Sequence, residues 1–304
     1  MSIVKLSGGL GNQLFQVALA ISIAKSTGKS VGLDATNYRV LRRNSDRQLQ
    51  IGGFKKDDFY FCDSTSLLTR LSHFFLCHKS YLRFSRLKNQ IERNQSSCFG
   101  LPIQQERNLN FDSAININSG SYYSGSFISP EYWGEYRDEV LSEIRQLMAE
   151  YFGFSVSDEI PDLTIHIRRG DYLSNEKARK FHGICSLDYY LASTASMLRE
   201  FSEIKKIQIF SDENRFAEEL RSLLRETGLS VEINPTVNPP EALVEMSVTK
   251  YFIGCNSSFS WWATALNKNR ISVLPSQWYL DPLRATVSPN FYEPKVRIFP
   301  TTLE

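Results

Sequence analysis

The chain has 304 residues, 42% hydrophobic and 22% charged, with a formal net charge of +2. That length supports two ordinary domains with real cores, and the composition excludes disordered and fibrous classes. So small a charge gives no ground for nucleic-acid binding, so any anion site has to be local.

The cysteines Cys62, Cys77, Cys98, Cys185 and Cys255 are scattered, odd in number and never in a CxxC spacing. They read as free thiols of a reducing compartment. The start "MSIVKLSGGL" lacks the basic and apolar regions of a signal peptide, and no apolar run approaches the roughly 20 residues of a spanning helix. The expectation is a cytoplasmic protein.

In chain order, a short buried strand at 3–6 leads through "SGGLGNQ" into "LFQVALAISIAKSTG", apolar on nearly all sides and ending at Gly28, a plausible C-cap. "SVGLDA" supplies a second strand. A β-loop-α-β opening predicts a parallel sheet. Residues 64–95 read as an amphipathic helix bearing Arg70, Lys79, Arg83, Arg86 and Lys88 before its first acid, Glu92. That basic run is either a solvated face or a weak peripheral contact with anionic lipid at the inner membrane. A helix over 131–152 precedes "GFSVSDEIPD", the expected boundary between an N-terminal domain (1–155) and a C-terminal one (156–304).

Beyond it strands and helices alternate: "LTIHI", a helix near 186–201, "IQIF", a helix near 213–227, "VEI", a helix near 240–249, "YFIG", a helix near 258–268 and "ISVL". This spacing predicts a doubly wound α/β domain, in which ligands bind outside the carboxyl ends of the strands. Those ends read "HIRRGDY", "SDEN", "CNSSFSWW" and "PSQW". Paired arginines opposite small hydroxyl residues that open a helix make an anion site, because guanidinium forks and helix N-terminal amides both favour phosphate oxygens.

Three other chemistries have partial signals in the sequence. "GGLGNQ" with Asp34 at the end of the second strand suggests a nicotinamide fold, but Leu14 stands where the fingerprint needs its third glycine. No Asp-x-Asp pair is present to hold a divalent cation, and His166 and His182 lack cysteine partners. The tryptophans Trp261 and Trp262 would form a sugar platform if the protein were a non-catalytic glycan-binding module.

With "GGLGNQLFQ", "HIRRGDY", "FHG" at 181–183, "FSDE" at 210–213 and "NSSFSWWATALN" at 256–267 in order, the sequence resembles the bacterial α-1,2-fucosyltransferases of glycosyltransferase family 11. The resemblance implies a GT-B fold, two Rossmann-like parallel-sheet α/β domains facing across a cleft, and inverting transfer of L-fucose from GDP-β-L-fucose to the 2-hydroxyl of a terminal β-galactoside, without metal or other cofactor. It implies a surface glycan such as an O-antigen as acceptor, free or lipid-linked, with the acceptor on the N-terminal domain. By resemblance Arg168 and Arg169 hold the diphosphate, supported by His166 and Asp171. Ser257 and Ser258, with Asn256 before them, form the hydroxyl loop at the phosphates. Gly11 and Asn12 lie near the pyrophosphate, and Asp212, after Ser211, contacts guanine or ribose. Asp171, Glu176 and His182 are the candidate bases, and Asp171 is the weaker for any pairing with an arginine.

Overall fold

The computed structural model describes residues 1–36, 38, 48–63, 99–107, 111–153, 160–174, 176–267, 270–280, 287–288 and 290–304. The basic stretch 64–95 lies outside them. The chain divides into two compact units, Met1–Leu147 and Met148–Glu304.

Among the described residues the first unit holds a five-stranded parallel sheet built from β1 (Ile3–Lys5), β2 (Val31–Asp34), β3 (Phe59–Cys62), β4 (Ile103–Gln105) and β5 (Tyr122–Ser124) in the order β3-β2-β1-β5-β4. Helix α1 (Leu10–Thr27) is buried almost continuously from Leu10 to Ala24, as its all-round apolar sequence requires. It begins inside the glycine loop and stops at Gly28, whose left-handed backbone (φ 65°) turns its N–H onto Ala24 O at 2.8 Å. The expected helix at 131–152 is in two parts. A 3-10 segment, Pro130–Tyr136, opens on a Ser129 cap, and α2, Arg137–Phe152, follows a break at Gly134 (φ 51°). The division between the units falls inside α2.

Among the described residues the second unit holds a six-stranded parallel sheet of β6 (Leu163–Ile167), β7 (Lys206–Ser211), β8 (Ser230–Ile233), β9 (Tyr251–Ile253), β10 (Ile271–Pro275) and β11 (Val296–Phe299). Its helices are α3 (Gly170–Ser174), α4 (Glu176–His182), α5 (Leu187–Glu200), α6 (Asn214–Arg225), α7 (Pro239–Val248) and α8 (Ser258–Ala265). β6 is buried on both faces, which is why all of its residues but His166 are apolar or β-branched. Helix α6 covers the sheet with Phe216, Ala217, Leu220 and Leu224, a stripe at helical spacing, and leaves its charged residues outward. No helix among the described residues is long and apolar enough to cross a membrane.

Candidate functional site

In the second unit the strand order is β11-β10-β9-β6-β7-β8. Chain progression therefore reverses between β6 and β9, and the crevice at a reversal is where a doubly wound sheet receives a ligand. The two loops leaving those strands are "RRGD" and "CNSS". The sequence supplied the motifs, and the topology brings them together.

Arg168 Nη1 pairs with Asp212 Oδ2 at 2.9 Å, both side chains partly open to solvent. The other carboxylate oxygen of Asp212 accepts the backbone amides of Arg169 (2.8 Å) and Gly170 (3.0 Å), which ties the end of β6 to the end of β7. A Cβ at position 170 would stand 3.0 Å from Asp212 O and 3.1 Å from Oδ2, so glycine is what lets the loop close on that acid. Arg169 points elsewhere, as the alternation of an extended chain demands of adjacent residues. Its guanidinium lies 4.0 Å over the Phe216 ring and donates to Cys185 O at 3.1 Å.

His166 is two residues before Arg168 and only 7% exposed. Its Nδ1 meets the hydroxyl of fully buried Ser260 at 2.6 Å, in the first turn of α8. Burial pushes the imidazole down to about 4, with Asp212 opposing and Arg168 reinforcing the shift, so His166 is neutral at neutral pH. Ser260 is the residue that the sequence analysis missed. Its place three residues after the cap Ser257 was the available signal.

Other expected residues serve the loops themselves. The Ser211 hydroxyl accepts from Glu213 N and donates to Glu213 O, both at 2.9 Å. Glu213 caps α6, accepting from the amides of Arg215 and Phe216. Asn256 is 2% exposed and spends its amide on the carbonyls of His182, Gly183 and Trp278, bracing three segments. Ser257 caps α8 through Phe259 N, and Ser258 opens that helix half-buried. Asp171 lies in α3 and its side chain is outside what is described. His182 stacks on Tyr172 with centroids 4.9 Å apart and planes at 12°.

In the first unit Gly11 and Asn12 lie in the first turn of α1, Gly11 buried and Asn12 half-buried. The neighbouring Gln13 and Gln16 are buried braces. Gln16 bridges Ser7 and Gly125 at the carboxyl ends of β1 and β5, where this sheet's order also reverses. Asp34 is 1% exposed and its oxygens are taken by Thr36 and by the Tyr122 hydroxyl at 2.7 Å. Buried in this way and spent on holding β2 to β5 and to the following turn, Asp34 is not presented to a ribose, which argues against the nicotinamide reading. The sugar-platform reading is corrected as well. Trp261 and Trp262 are 1% and 0% exposed and pack edge to face in the core, Trp261 Nε1 donating to Phe291 O.

The model of glycosyl transferase family 11 matches residues 104–294, more than half of the chain. The chain is a member of glycosyltransferase family 11. An alpha-1,2-colitosyltransferase of Escherichia coli is 26% identical to this family 11 enzyme over 290 residues, 92% of this chain and 93% of the relative. The O-antigen biosynthesis glycosyltransferase WbnK of Escherichia coli is 26% identical over 308 residues, 90% of this chain and 93% of the relative. Among solved structures, E. coli heptosyltransferase WaaC with ADP aligns over 98% of this chain and 92% of its own at 8% identity (TM-score 0.49). Fucosyltransferase NodZ from Bradyrhizobium aligns over 87% and 93% at 13% identity (TM-score 0.44). Two successive parallel-sheet α/β units are the components of a GT-B glycosyltransferase.

Proposed function

We propose that this family 11 enzyme moves an L-fucose-type sugar from its GDP-activated form to the 2-hydroxyl of a terminal β-galactoside in a surface glycan such as an O-antigen, with inversion. The observation that carries the reading is the placement of Arg168 and the α8 N-terminus on the two loops that flank the sheet reversal. As the sugar–phosphate bond breaks, negative charge builds on the leaving diphosphate. A fixed guanidinium and helix amides already oriented toward it lower the barrier without reorganising. One displacement gives inversion and needs no nucleophilic side chain. Arg168 is the diphosphate contact in this reading, while Arg169 fixes the loop through Phe216 and Cys185.

The donor occupies Met148–Glu304 and the acceptor is taken up by Met1–Leu147. The arginine supplies the charge that other transferases take from a metal ion, so none is required. Asp171 or His182 receives the acceptor proton. The names of the two curated relatives support an α-1,2 linkage and an O-antigen acceptor.

Colitose is L-fucose without its 3-hydroxyl, so the donor is decided by one oxygen. Incubation with GDP-fucose and with GDP-colitose across a panel of β-galactosides, followed by mass and linkage analysis, tests the proposal. An α-1,2 product from GDP-fucose is expected. Transfer only from GDP-colitose changes the donor, another linkage changes the acceptor position, and no transfer from either overturns the reading.

A further inference from the structure

Ser260 does more than fill the core. Its hydroxyl oxygen accepts the amide of Cys255 at 3.0 Å and touches two other groups, His166 Nδ1 at 2.6 Å and Cys255 Sγ at 3.4 Å. The hydroxyl hydrogen therefore has two acceptors to choose from, an imidazole nitrogen at short range and a thiol sulfur at long range. Nitrogen is the far stronger acceptor. With Ser260 donating to Nδ1, the Cys255 thiol, 3.4 Å from the serine oxygen and 3.7 Å from Nδ1, donates to the serine oxygen. The opposite arrangement, Nδ1–H donating to Ser260, sends the serine hydrogen to sulfur.

The consequence appears on the other side of the ring. A neutral imidazole carries one proton, so an Nδ1 that accepts leaves that proton on Nε2. Among the described residues His166 Nε2 makes no hydrogen bond, and the residue as a whole is 7% exposed. It belongs to the side chain two residues before Arg168, and both Arg168 and Asp212 act on it electrostatically. A donor that no described residue uses thus stands at the carboxyl end of β6, two residues before the arginine of the ion pair.

We propose that Ser260 is a positioning residue, which holds His166 in the Nε2–H tautomer and in one ring orientation so that Nε2–H donates to an acceptor oxygen or nitrogen of the bound nucleotide sugar. The inference rests on the donor-site reading above. It gives the serine of "SSFS" that lies deepest in the protein a role distinct from that of Ser257, which caps the same helix. Burial keeps the ring neutral, so the donor is present throughout the neutral range.

The test has two arms. In wild-type protein labelled with 15N-histidine, two-bond 1H–15N correlation at pH 7.5 reads the tautomer of each of the four histidines, and His73→Gln, His78→Gln and His182→Gln variants leave His166 assigned by elimination. The Nε2–H pattern is expected without any nucleotide present. The Nδ1–H pattern overturns the proposal whether or not Ser260 variants fold. In the second arm Ser260→Ala should give a mixed tautomer pattern and a GDP dissociation constant raised about fivefold to tenfold, the loss of roughly one hydrogen bond, with KM for the acceptor unchanged. Ser260→Thr, which keeps the hydroxyl, should restore the single pattern. A Ser260→Ala protein with the wild-type pattern and wild-type GDP affinity also overturns it. Failure of wild-type protein to bind GDP is a separate outcome that sinks the donor-site reading and leaves the tautomer result standing.

Discussion

Asp212 holds Arg168 by an ion pair of 2.9 Å while its second oxygen gathers the amides of Arg169 and Gly170. One carboxylate thus aims the cation and shapes the loop that carries it. The pair is partly exposed, so it contributes little to stability; its worth lies in presenting Arg168 in one place. Arg168→Ala should lower turnover by on the order of a hundredfold, the scale of losing one preorganised donor to a developing anion. Arg168→Lys should also lose most activity, since a point charge does not reproduce the guanidinium fork. Asp212→Asn keeps an oxygen for the two amides and removes only the charge, so it should fold normally, with a GDP dissociation constant raised several-fold. Steady-state kinetics and GDP titration check all three. Near-normal kinetics for Arg168→Ala would remove that residue from the mechanism.

The buried imidazole of His166 makes the second unit sensitive to acid. Its folded value is about 4, against an ordinary value of 6.5. Between those limits the unfolded chain takes up a proton that the folded chain refuses, so stability is full above about 6.5 and falls as the pH drops toward 4. The shift corresponds to about 3 kcal/mol, an upper figure for a buried ring. Denaturant unfolding of wild type and His166→Gln at pH 7.5, 6.0 and 4.5 should show the two curves converging on acidification. A constant difference between them would mean that burial does not shift the ring's titration on folding.

The strand and helix order of the second unit was legible because both periods are clean there. Leu163, Ile165 and Ile167 alternate, and Phe216, Leu220 and Leu224 repeat at helical spacing. Strand order was not legible, since nothing local in "LTIHI" or "YFIG" states which neighbour each will pair with, and the ligand crevice depends on that order. The polar residues at strand ends were legible as a group but not one by one. Asn256, Ser211 and Glu213 are the same residue types that would contact a nucleotide, and the fold uses them to satisfy carbonyls, a turn and a helix cap. The divergence of Arg168 from Arg169 was available from strand alternation alone.

Glu106 gives the first unit the opposite response to pH. Its carboxylate accepts the amides of Ser126 and Phe127 and the Tyr132 hydroxyl at 2.8–2.9 Å, yet burial outweighs these bonds and raises it from 4.5 to about 7. The turn it holds contains Phe127 in a left-handed backbone (φ 52°), a conformation that an aromatic residue adopts only at a cost of roughly 1–3 kcal/mol. The folded chain retains a proton that the unfolded one has lost between pH 4.5 and 7, so this group's contribution favours folding at the acid end and fades as the pH rises. Glu106→Gln offers an oxygen to the two amides at every pH. Relative to that variant, wild type should lose about 3 kcal/mol between pH 5 and 8, the size of the shift. Equal pH profiles for the two proteins would refute it.

Arg270 is the largest buried charge in the described structure, 2% exposed, and among the described residues its hydrogen-bond partners are oxygens of the backbone and of Thr249 rather than an acid. Nη1 takes Ala263 O at 2.7 Å near the end of α8, Nη2 takes Met246 O near the end of α7, and Nε takes Thr249 O at 3.2 Å. The guanidinium also lies 4.7 Å over the Phe252 ring of β9. Carbonyls at two helix C-termini form a region of negative potential, and a planar cation with five donors satisfies it where no water reaches. Burial lowers Arg270 to about 9, so it remains charged at neutral pH. Arg270→Met matches the volume but strands the carbonyls, and should cost about 3–5 kcal/mol, the scale for breaking a buried charged network. Arg270→Lys keeps the charge and offers three donors for five, so it should fall between Met and wild type. Because α8 carries Ser257, Ser258 and Ser260 on its first turn or cap, the lost stability should be accompanied by weaker GDP binding. Thermal unfolding and GDP titration of both variants check the order, and a Met variant as stable as wild type would show that the carbonyls find other partners.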